Sequence, residues 1–408
     1  QIQIGADIDG EAAGDQSGYS VSLSSDGTIM AIGALRNDGN GSNSGHVRVY
    51  EYSSGTWVQL GADIDGENVG DGSGKSVSLS SDGTIVAIGA HLNDDNGNTS
   101  GHVRVYEYTS GSWSQLGADI DGEASWDNSG SSVSLSSDGA MLAIGAVQND
   151  GNGTNSGHVR VYEYTSGSWS QLGADIDGEA AYDSSGRSVS LSSDGSTVAI
   201  GAHYNDGNGS YAGHVRVYQY TSGSWSQLGS DIDGEAAGDN LGNSVSLSSD
   251  GTIVAIGALN NDGNGNRSGH VRVYEYSSGS WSQLGADIDG EAASDYSGSS
   301  VSLSSDGTIV AIGAHWNDGN GSNSGHVRMY QYTSGSWSQL GADIDGEAAS
   351  DYSGWSVSLS SDGSTVAIGA FWNDGNGTSS GHVRAYSIKA TYTLTNQDGC
   401  DSLVTLDL

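Results

Sequence analysis

Along the chain, apolar and polar positions follow a short β period, break at turn residues, and then repeat the whole pattern. Ser20-Val21-Ser22-Leu23-Ser24 alternates with period two, as a strand with one buried face does, and stops at the turn signal Ser25-Asp26-Gly27. Thr28-Ile29-Met30-Ala31-Ile32-Gly33-Ala34 follows as a continuous apolar run, which predicts the second arm of a hairpin. A polar loop, Asn37-Asp38-Gly39-Asn40-Gly41-Ser42-Asn43-Ser44-Gly45, leads to His46-Val47-Arg48-Val49-Tyr50-Glu51-Tyr52, the turn Ser53-Ser54-Gly55, and Trp57-Val58-Gln59-Leu60. The pattern predicts four strands and carries no helical period.

The string Asp-Ile-Asp-Gly-Glu begins at Asp7, Asp63, Asp119, Asp175, Asp231, Asp287 and Asp343, a spacing of 56 residues without insertion or deletion. A four-stranded unit repeated at this length predicts propeller blades. The expected fold is all-β: a seven-bladed β-propeller over residues 1–388, with four-stranded antiparallel blades and a separate extension or further β module over 389–408. The seventh copy has His382-Val383-Arg384-Ala385-Tyr386 but no outer strand after it, whereas Gln1-Ile2-Gln3-Ile4-Gly5 occupies the place of Trp57-Val58-Gln59-Leu60-Gly61. The N-terminal strand is therefore expected to close the ring and remove its open edges. In an antiparallel meander the Ser-Ser-Asp-Gly and Ser-Gly turns share one end of the molecule. The Asn-Asp-Gly loop and the connection after Asp-Ile-Asp-Gly-Glu share the other.

Composition sharpens this reading. Only 35% of the residues are hydrophobic and 66 are Gly, a balance that would suggest disorder were the 10 Trp and 20 Tyr not spaced at regular intervals. With 50 acidic against 12 basic residues the net charge is −38, which excludes a nucleic-acid binder and disfavours an anionic membrane surface. No apolar run approaches 18 residues, so no membrane insertion is expected, and Gln1-Ile2-Gln3-Ile4 has none of the basic and apolar character of a leader. The single cysteine, Cys400, excludes an intramolecular disulfide and a cysteine metal cluster.

Ser-Gly-Tyr-Ser-Val-Ser-Leu-Ser-Ser-Asp-Gly-Thr from Ser17, together with Ser44-Gly45-His46-Val47-Arg48-Val49-Tyr50, resembles the FG-GAP type of repeat found in integrin alpha-subunit propellers. The repeats are most similar to acidic integrin-like repeats of secreted proteins from marine bacteria and algae. The resemblance spans residues 1 to about 388 and implies an extracellular or cell-surface recognition module. It departs at the hairpin between the first two strands, where the family's calcium loop is replaced by the short Ser24-Ser25-Asp26-Gly27 turn. The tail Thr393-Leu394-Thr395-Asn396-Gln397-Asp398-Gly399-Cys400-Asp401-Ser402-Leu403-Val404-Thr405-Leu406-Asp407-Leu408 is similar to segments that link domains in surface proteins of Bacteroidetes, and its alternation predicts two strands around Gln397-Asp398-Gly399.

Two acidic loops are candidate Ca²⁺ sites, because hard cations take several oxygen ligands. One gathers Asp7, Asp9, Glu11 and Asp15 within nine residues. Alternatively, Ile8 enters the core, Asp9-Gly10 turns, and Asp15 caps the Ser17-Gly18 turn. The other is Asp38 with Asn40, repeated at Asp94, Asp150, Asp206, Asp262, Asp318 and Asp374; its alternative is an Asn/Gly loop stabilised by its own side chains. Seven divalent ions would offset roughly 14 of the 38 excess charges. His46 and Arg48 recur in every copy, as a structural pair would, with the imidazole satisfied by hydrogen bonds and the guanidinium paired to an acid. Trp57 and its counterparts read as blade-to-blade packing.

Differences among the copies concentrate on the long-looped end. Leu35-Arg36 becomes His203-Tyr204, His315-Trp316 and Phe371-Trp372, and Tyr19 becomes Lys75, Arg187 and Trp355. The last two copies collect Trp316, Phe371, Trp372, Trp355, Tyr296 and Tyr352. With Tyr204 these are candidate ligand-binding residues, since aromatic rings stack on sugar faces while neighbouring polar groups bind hydroxyls. The alternative is drift on a tolerant loop surface. No Ser-His-Asp elbow, phosphate loop or zinc spacing is present, so the expected function is not enzymatic. The sequence points to an extracellular recognition or adhesion module, stabilised by Ca²⁺, whose partner is a cell-surface glycan or an extracellular protein, and which could form part of a larger surface assembly. A structural spacer or filament subunit is the second reading and a polysaccharide-processing enzyme the third.

Overall fold

The computed structural model describes residues 1–388, 390–395 and 401–406. In the first blade Ser17–Leu23, Ile29–Ala34, His46–Ser53 and Thr56–Gln59 form an antiparallel meander, with Val21 opposite Ile32, Ile32 opposite Arg48, and Tyr50 opposite Gln59. This is the expected strand order, innermost first. A fifth, two-residue strand is added that the sequence pattern did not show: Ile64–Asp65 pairs with Val47 and His46. The outer edge of the third strand is thus shared. Thr56–Gln59 covers its second half, and the opening of the next Asp-Ile-Asp-Gly-Glu string covers its first half, whose backbone groups would otherwise stay open.

The same geometry closes the ring. Ile2 and Gln3 pair with Ser387 and Tyr386, and Ile8 and Asp9 pair with Val383 and His382. The N-terminus therefore supplies both outer strands of the last blade, and the fold is the seven-bladed β-propeller that the repeat predicted.

A chain with so few apolar residues folds because they are placed where two blades meet. Ala31, Val47, Val49 and Ile64 of the first blade interlock with Val77, Leu79, Val86 and Ile88 of the second, and this cluster recurs around the ring. The closing cluster joins Ile8, Ala367 and Val383 to Val21, Leu23, Met30 and Ile32. Fully burying each Val or Ile contributes on the order of 1.5–3 kcal/mol.

Serine completes the contact. Ser22 Oγ accepts the Leu79 amide of the next blade at 3.0 Å, and Ser20 Oγ donates to the Gly74 carbonyl at 2.8 Å. At the tight-turn end, Ser25, Ser81, Ser137, Ser193, Ser249, Ser305 and Ser361 pass backbone N–H to C=O hydrogen bonds around the axis, each 2.7–2.9 Å, as a closed ring. Gly45 shows how close the blades come. It sits at φ +72, and a Cβ there would lie 2.1 Å from the Ser73 carbonyl oxygen.

Beyond the propeller, Ala390–Thr395 pairs antiparallel with Asp401–Leu406, the two strands expected of the tail. The connecting Gln397-Asp398-Gly399 and Cys400 lie outside the described residues.

Candidate functional site

The long-looped end is built from two self-braced loops per repeat. Asn37 makes an Asx turn, accepting the Gly39 amide at 2.7 Å, while its Nδ2 donates to Asp15 Oδ2 at 3.1 Å. Asp15 also accepts the Ala12 amide at 2.8 Å, so it braces its neighbours rather than the Ser17-Gly18 turn. Asp38 accepts the Asn43 amide, and Asp94, Asp150, Asp206, Asp262, Asp318 and Asp374 do the same for the amide five residues on, all at 2.6–2.7 Å. Asn40 Nδ2 donates to the carbonyls of Gly66 and Glu67 at 2.8 and 3.1 Å, fastening this loop to the following repeat. These oxygens form a ring of loop braces on the exposed rim.

Asp7, Asp9 and Glu11, adjacent in sequence, do not meet at one point. Asp7 joins Glu347 and His382, whereas Glu11 crosses the blade boundary to His46 and Asp63. Glu11 lies 3.8 Å from both His46 Nδ1 and Arg48 Nη1, and Asp63 Oδ2 lies 3.9 Å from His46 Nδ1. Asp9 contributes its carbonyl, which accepts Arg48 Nη2 at 2.7 Å. The same constellation appears with Glu123, His158 and Asp175, and with Glu179, His214 and Asp231. Arg48 thus has its acidic partner, and its guanidinium also lies over the Tyr50 ring at 5.5 Å.

The histidine departs from expectation. His46 is 1% exposed and its Nδ1 has no hydrogen-bond partner among the described residues. Burial, reinforced by the Arg48 charge, holds the imidazole down at about 4, so it is neutral at pH 7. Burial also raises Glu11 above its usual range, against the pull of Arg48 and with Asp63 adding to it, and raises Asp9 with help from Asp7.

On the axis, one residue from each repeat meets the others. Tyr19, Lys75, Ser131, Arg187, Asn243, Ser299 and Trp355 ring a cavity of about 460 Å³, walled further by Tyr296, His315 and Trp316. They are equivalent in the repeat, yet of six different residue types. Lys75 Nζ donates to Tyr19 Oη at 2.6 Å, and Arg187 Nε to Asn243 Oδ1 at 3.2 Å. Against this polar arc stands an aromatic one. Trp355 lies 4.6 Å from Phe371, 4.9 Å from His315 and 5.5 Å from Tyr19 between ring centres; Tyr352 bridges Trp316 and Trp372 at 6.0 and 5.7 Å. Phe371 is buried as the base of this patch, while Trp316 and Trp372 remain 40% and 44% exposed. Six of the seven sequence-derived aromatics are therefore brought together. Burial holds His315 at about 3, a neutral ring packed among them.

Tyr204 lies elsewhere. It lines a recess of about 700 Å³ with Tyr182, Tyr211, Asn155, Asn240 and Arg267. Sequence reasoning missed Tyr182, Tyr211 and Arg267, although comparing copies could have found them. Tyr182 (φ 71) and the exposed Trp126 (φ 75) stand where Gly14, Gly70 and Gly238 stand in other repeats, and Tyr211, Tyr296 and Tyr352 also have positive φ, 55–56. Bulky side chains at left-handed positions are costly and mark places where something other than stability shapes the surface.

The fold and its repeated strands define a class of protein, and the chain belongs to the FG-GAP repeat family. The family profile described as FG-GAP repeat matches residues 7–50, 175–218, 232–274, 287–330 and 343–386, more than half of the chain. Among solved structures, it is similar to hydrazine synthase of Kuenenia stuttgartiensis, at 14% identity and TM-score 0.58, over 94% of this chain and 97% of that one. A protein from Bacteroides uniformis named as a 6-phosphogluconolactonase matches at 12% identity and TM-score 0.59, covering 93% and 96%. The periplasmic gluconolactonase PpgL of Pseudomonas aeruginosa matches at 17% and 0.53, covering 80% and 85%. At these identities the likeness is one of fold. No curated protein matches the chain.

Proposed function

We propose that this chain is an extracellular recognition module that binds a glycan at the axial mouth of its long-looped face. The carrying observation is the convergence of seven repeat-equivalent residues of six different types on one cavity, with a continuous aromatic wall on one side and Lys75, Arg187 and Asn243 on the other. Ring faces such as Trp316 on the cavity wall, and Trp372 in the adjoining recess that shares Tyr19, Lys75 and Trp355 with it, suit pyranose C–H surfaces, and the polar arc suits hydroxyls or a sugar carboxylate. The cations strengthen the case. Seven of the 12 Lys and Arg are the repeated strand arginines, and four of the remaining five line the recesses of this face: Arg36, Lys75, Arg187 and Arg267.

The described wall of the axial cavity carries no carboxylate, whereas glycoside hydrolysis ordinarily needs two. That favours binding over polysaccharide processing. It also favours a ligand over a spacer role, which would not require aromatics in costly backbone conformations.

Calcium belongs to the same reading, as a stabiliser. Carboxylates on the loop side, Asp9, Glu11, Glu291 and Glu347 among them, are raised first by burial; a strand arginine pulls each of them back, neighbouring aspartates add to the rise, and a bound divalent cation relieves that last repulsion.

An array of neutral, uronate-bearing and sulfated glycans, followed by calorimetry on the best ligand, tests the function. Trp316→Ala and Trp372→Ala are each expected to weaken binding by at least about tenfold, matching the loss of one stacking contact with its buried area. Wild-type affinity in both variants would remove the aromatic wall from the function.

A further inference from the structure

The blade boundaries repeat one Glu, one His and one Asp, but the second boundary differs from the others. There Glu67, His102 and Asp119 are joined by Asp95, and one ligand atom of each lies within 4.8 Å of all the rest. Asp95 exists in one copy only; the equivalent positions are Gly39, Gly151, Gly207, Gly263, Gly319 and Gly375. Its place in the loop sets it beside the strand that pairs with His102: a Cβ on Gly39, the first-repeat equivalent, would stand 3.3 Å from Asp65 Oδ1, whose counterpart here is Asp121, the residue opposite His102. His102 is fully buried, and neither of its ring nitrogens has a hydrogen-bond partner among the described residues. Its Nδ1 is aimed into the carboxylates, 3.9 Å from Asp95 Oδ2 and 4.0 Å from Glu67 Oε2.

We propose that Glu67, Asp95, His102 and Asp119 form a single-copy site for a borderline divalent transition ion, Zn²⁺ in the first instance. Four ligands are the number that a tetrahedral zinc site uses, and imidazole nitrogen and carboxylate oxygen are both donors that Zn²⁺ accepts, whereas Ca²⁺ takes six to eight oxygens and gains little from an imidazole. Zinc bonds of about 2.1 Å in a tetrahedron put neighbouring ligand atoms about 3.4 Å apart. The two separations from His102 need to close by about half an ångström, and none of the others, all within 4.8 Å, by more than about 1.4 Å; the carboxylates that would move are the exposed partners, Glu67 and Asp95, 35% and 47% exposed at the side chain against 1% for His102. Arg104, with Nη1 3.4 Å from Glu67 Oε1, leaves Glu67 Oε2 facing the imidazole and offsets part of the negative charge of the ligand set. The ion would join Glu67, which follows the outer strand of the first blade, to His102 and Asp119 of the second, so it would pin one of the seven seams. Neither the glycan site nor the calcium reading requires it.

The test uses the full chain stripped with EDTA. Co²⁺ is titrated with visible absorption as the readout, and Zn²⁺ by calorimetry, in a buffer containing millimolar Ca²⁺. One strong equivalent is expected, with the intense d–d bands of tetrahedral Co²⁺. Asp95→Gly gives this loop the residue that the other six copies carry, so folding is preserved, and it is expected to weaken that equivalent by at least about tenfold. Gly151→Asp adds the fourth ligand beside Glu123, His158 and Asp175 and is expected to create a second strong equivalent. No strong equivalent, several equal ones, displacement by Ca²⁺, or a strong equivalent that survives Asp95→Gly would each overturn the assignment.

Discussion

Seven buried or half-buried imidazoles should make this protein acid-labile well above the carboxylate range. His46, His214, His326 and His382 are held at about 4, each by burial and then by its strand arginine, and His91, His203 and His315 at about 3, chiefly by burial. The charged groups around His46 are Glu11, Asp63, Asp15 and Arg48, so acids and a base partly cancel there and desolvation decides. Unfolding returns each ring to about 6.5, where it takes up a proton that the folded state refuses. Stability is therefore complete above 6.5 and is lost as the pH falls toward the folded values. At pH 5.5 the loss is about 1.4 kcal/mol per imidazole, and about 10 kcal/mol for seven, comparable to the whole stability of an ordinary domain. Carboxylates such as Glu11 and Glu347, raised in the folded state, act in the opposite direction as the pH falls. Urea unfolding of EDTA-treated protein, followed by tryptophan fluorescence between pH 8 and 5 at constant ionic strength, measures the effect. A steep fall in unfolding free energy below pH 6.5 is expected, with an uptake of several protons on unfolding near pH 5.5. A free energy at pH 5.5 within about 2 kcal/mol of its value at pH 8 would refute the reasoning.

Three further outcomes are expected. Ser22→Ala removes the acceptor of the Leu79 amide across a blade boundary and should cost about 1–2 kcal/mol in urea melts; an unchanged midpoint would mean that water takes the place of the hydroxyl. Trp126→Gly relieves an exposed left-handed residue and should raise stability by up to about 1 kcal/mol, and a clear loss would show that the indole packs in solution. Millimolar Ca²⁺ should raise the thermal midpoint of the chelated protein saturably and beyond the effect of NaCl at equal ionic strength; identical curves in the two salts would reduce the acidic loops to solvated turns.

Much of this protein follows from local rules written seven times. The period-two alternation at Ser20–Ser24, the apolar run at Ile29–Ala34 and the fixed 56-residue spacing determine the strands, their order and the number of blades, because strand faces and turn residues act over a few positions. The missing outer strand of the seventh copy and the surplus Ile2–Gln3 at the start even determine how the ring shuts. The variable positions that supply the aromatic wall were legible too, since copies can be compared within one chain.

Only the tertiary structure decided which side chains meet. Asp7, Asp9 and Glu11 are neighbours in sequence, yet the short Ile8–Asp9 strand sends Asp7 toward His382 of the same blade and Glu11 across the seam to His46, so a cluster that looks contiguous along the chain is divided between two sites. Asp95, a single departure in an acidic loop, gains meaning because pairing with Ile120–Asp121 places His102 beneath it. Tyr204 and Trp316 occupy equivalent repeat positions but line different recesses, since one sits in the fourth blade and the other in the sixth on a closed circle. Sequence periodicity fixes what each blade is, whereas contacts between residues tens of positions apart depend on how blades are laid side by side around the axis.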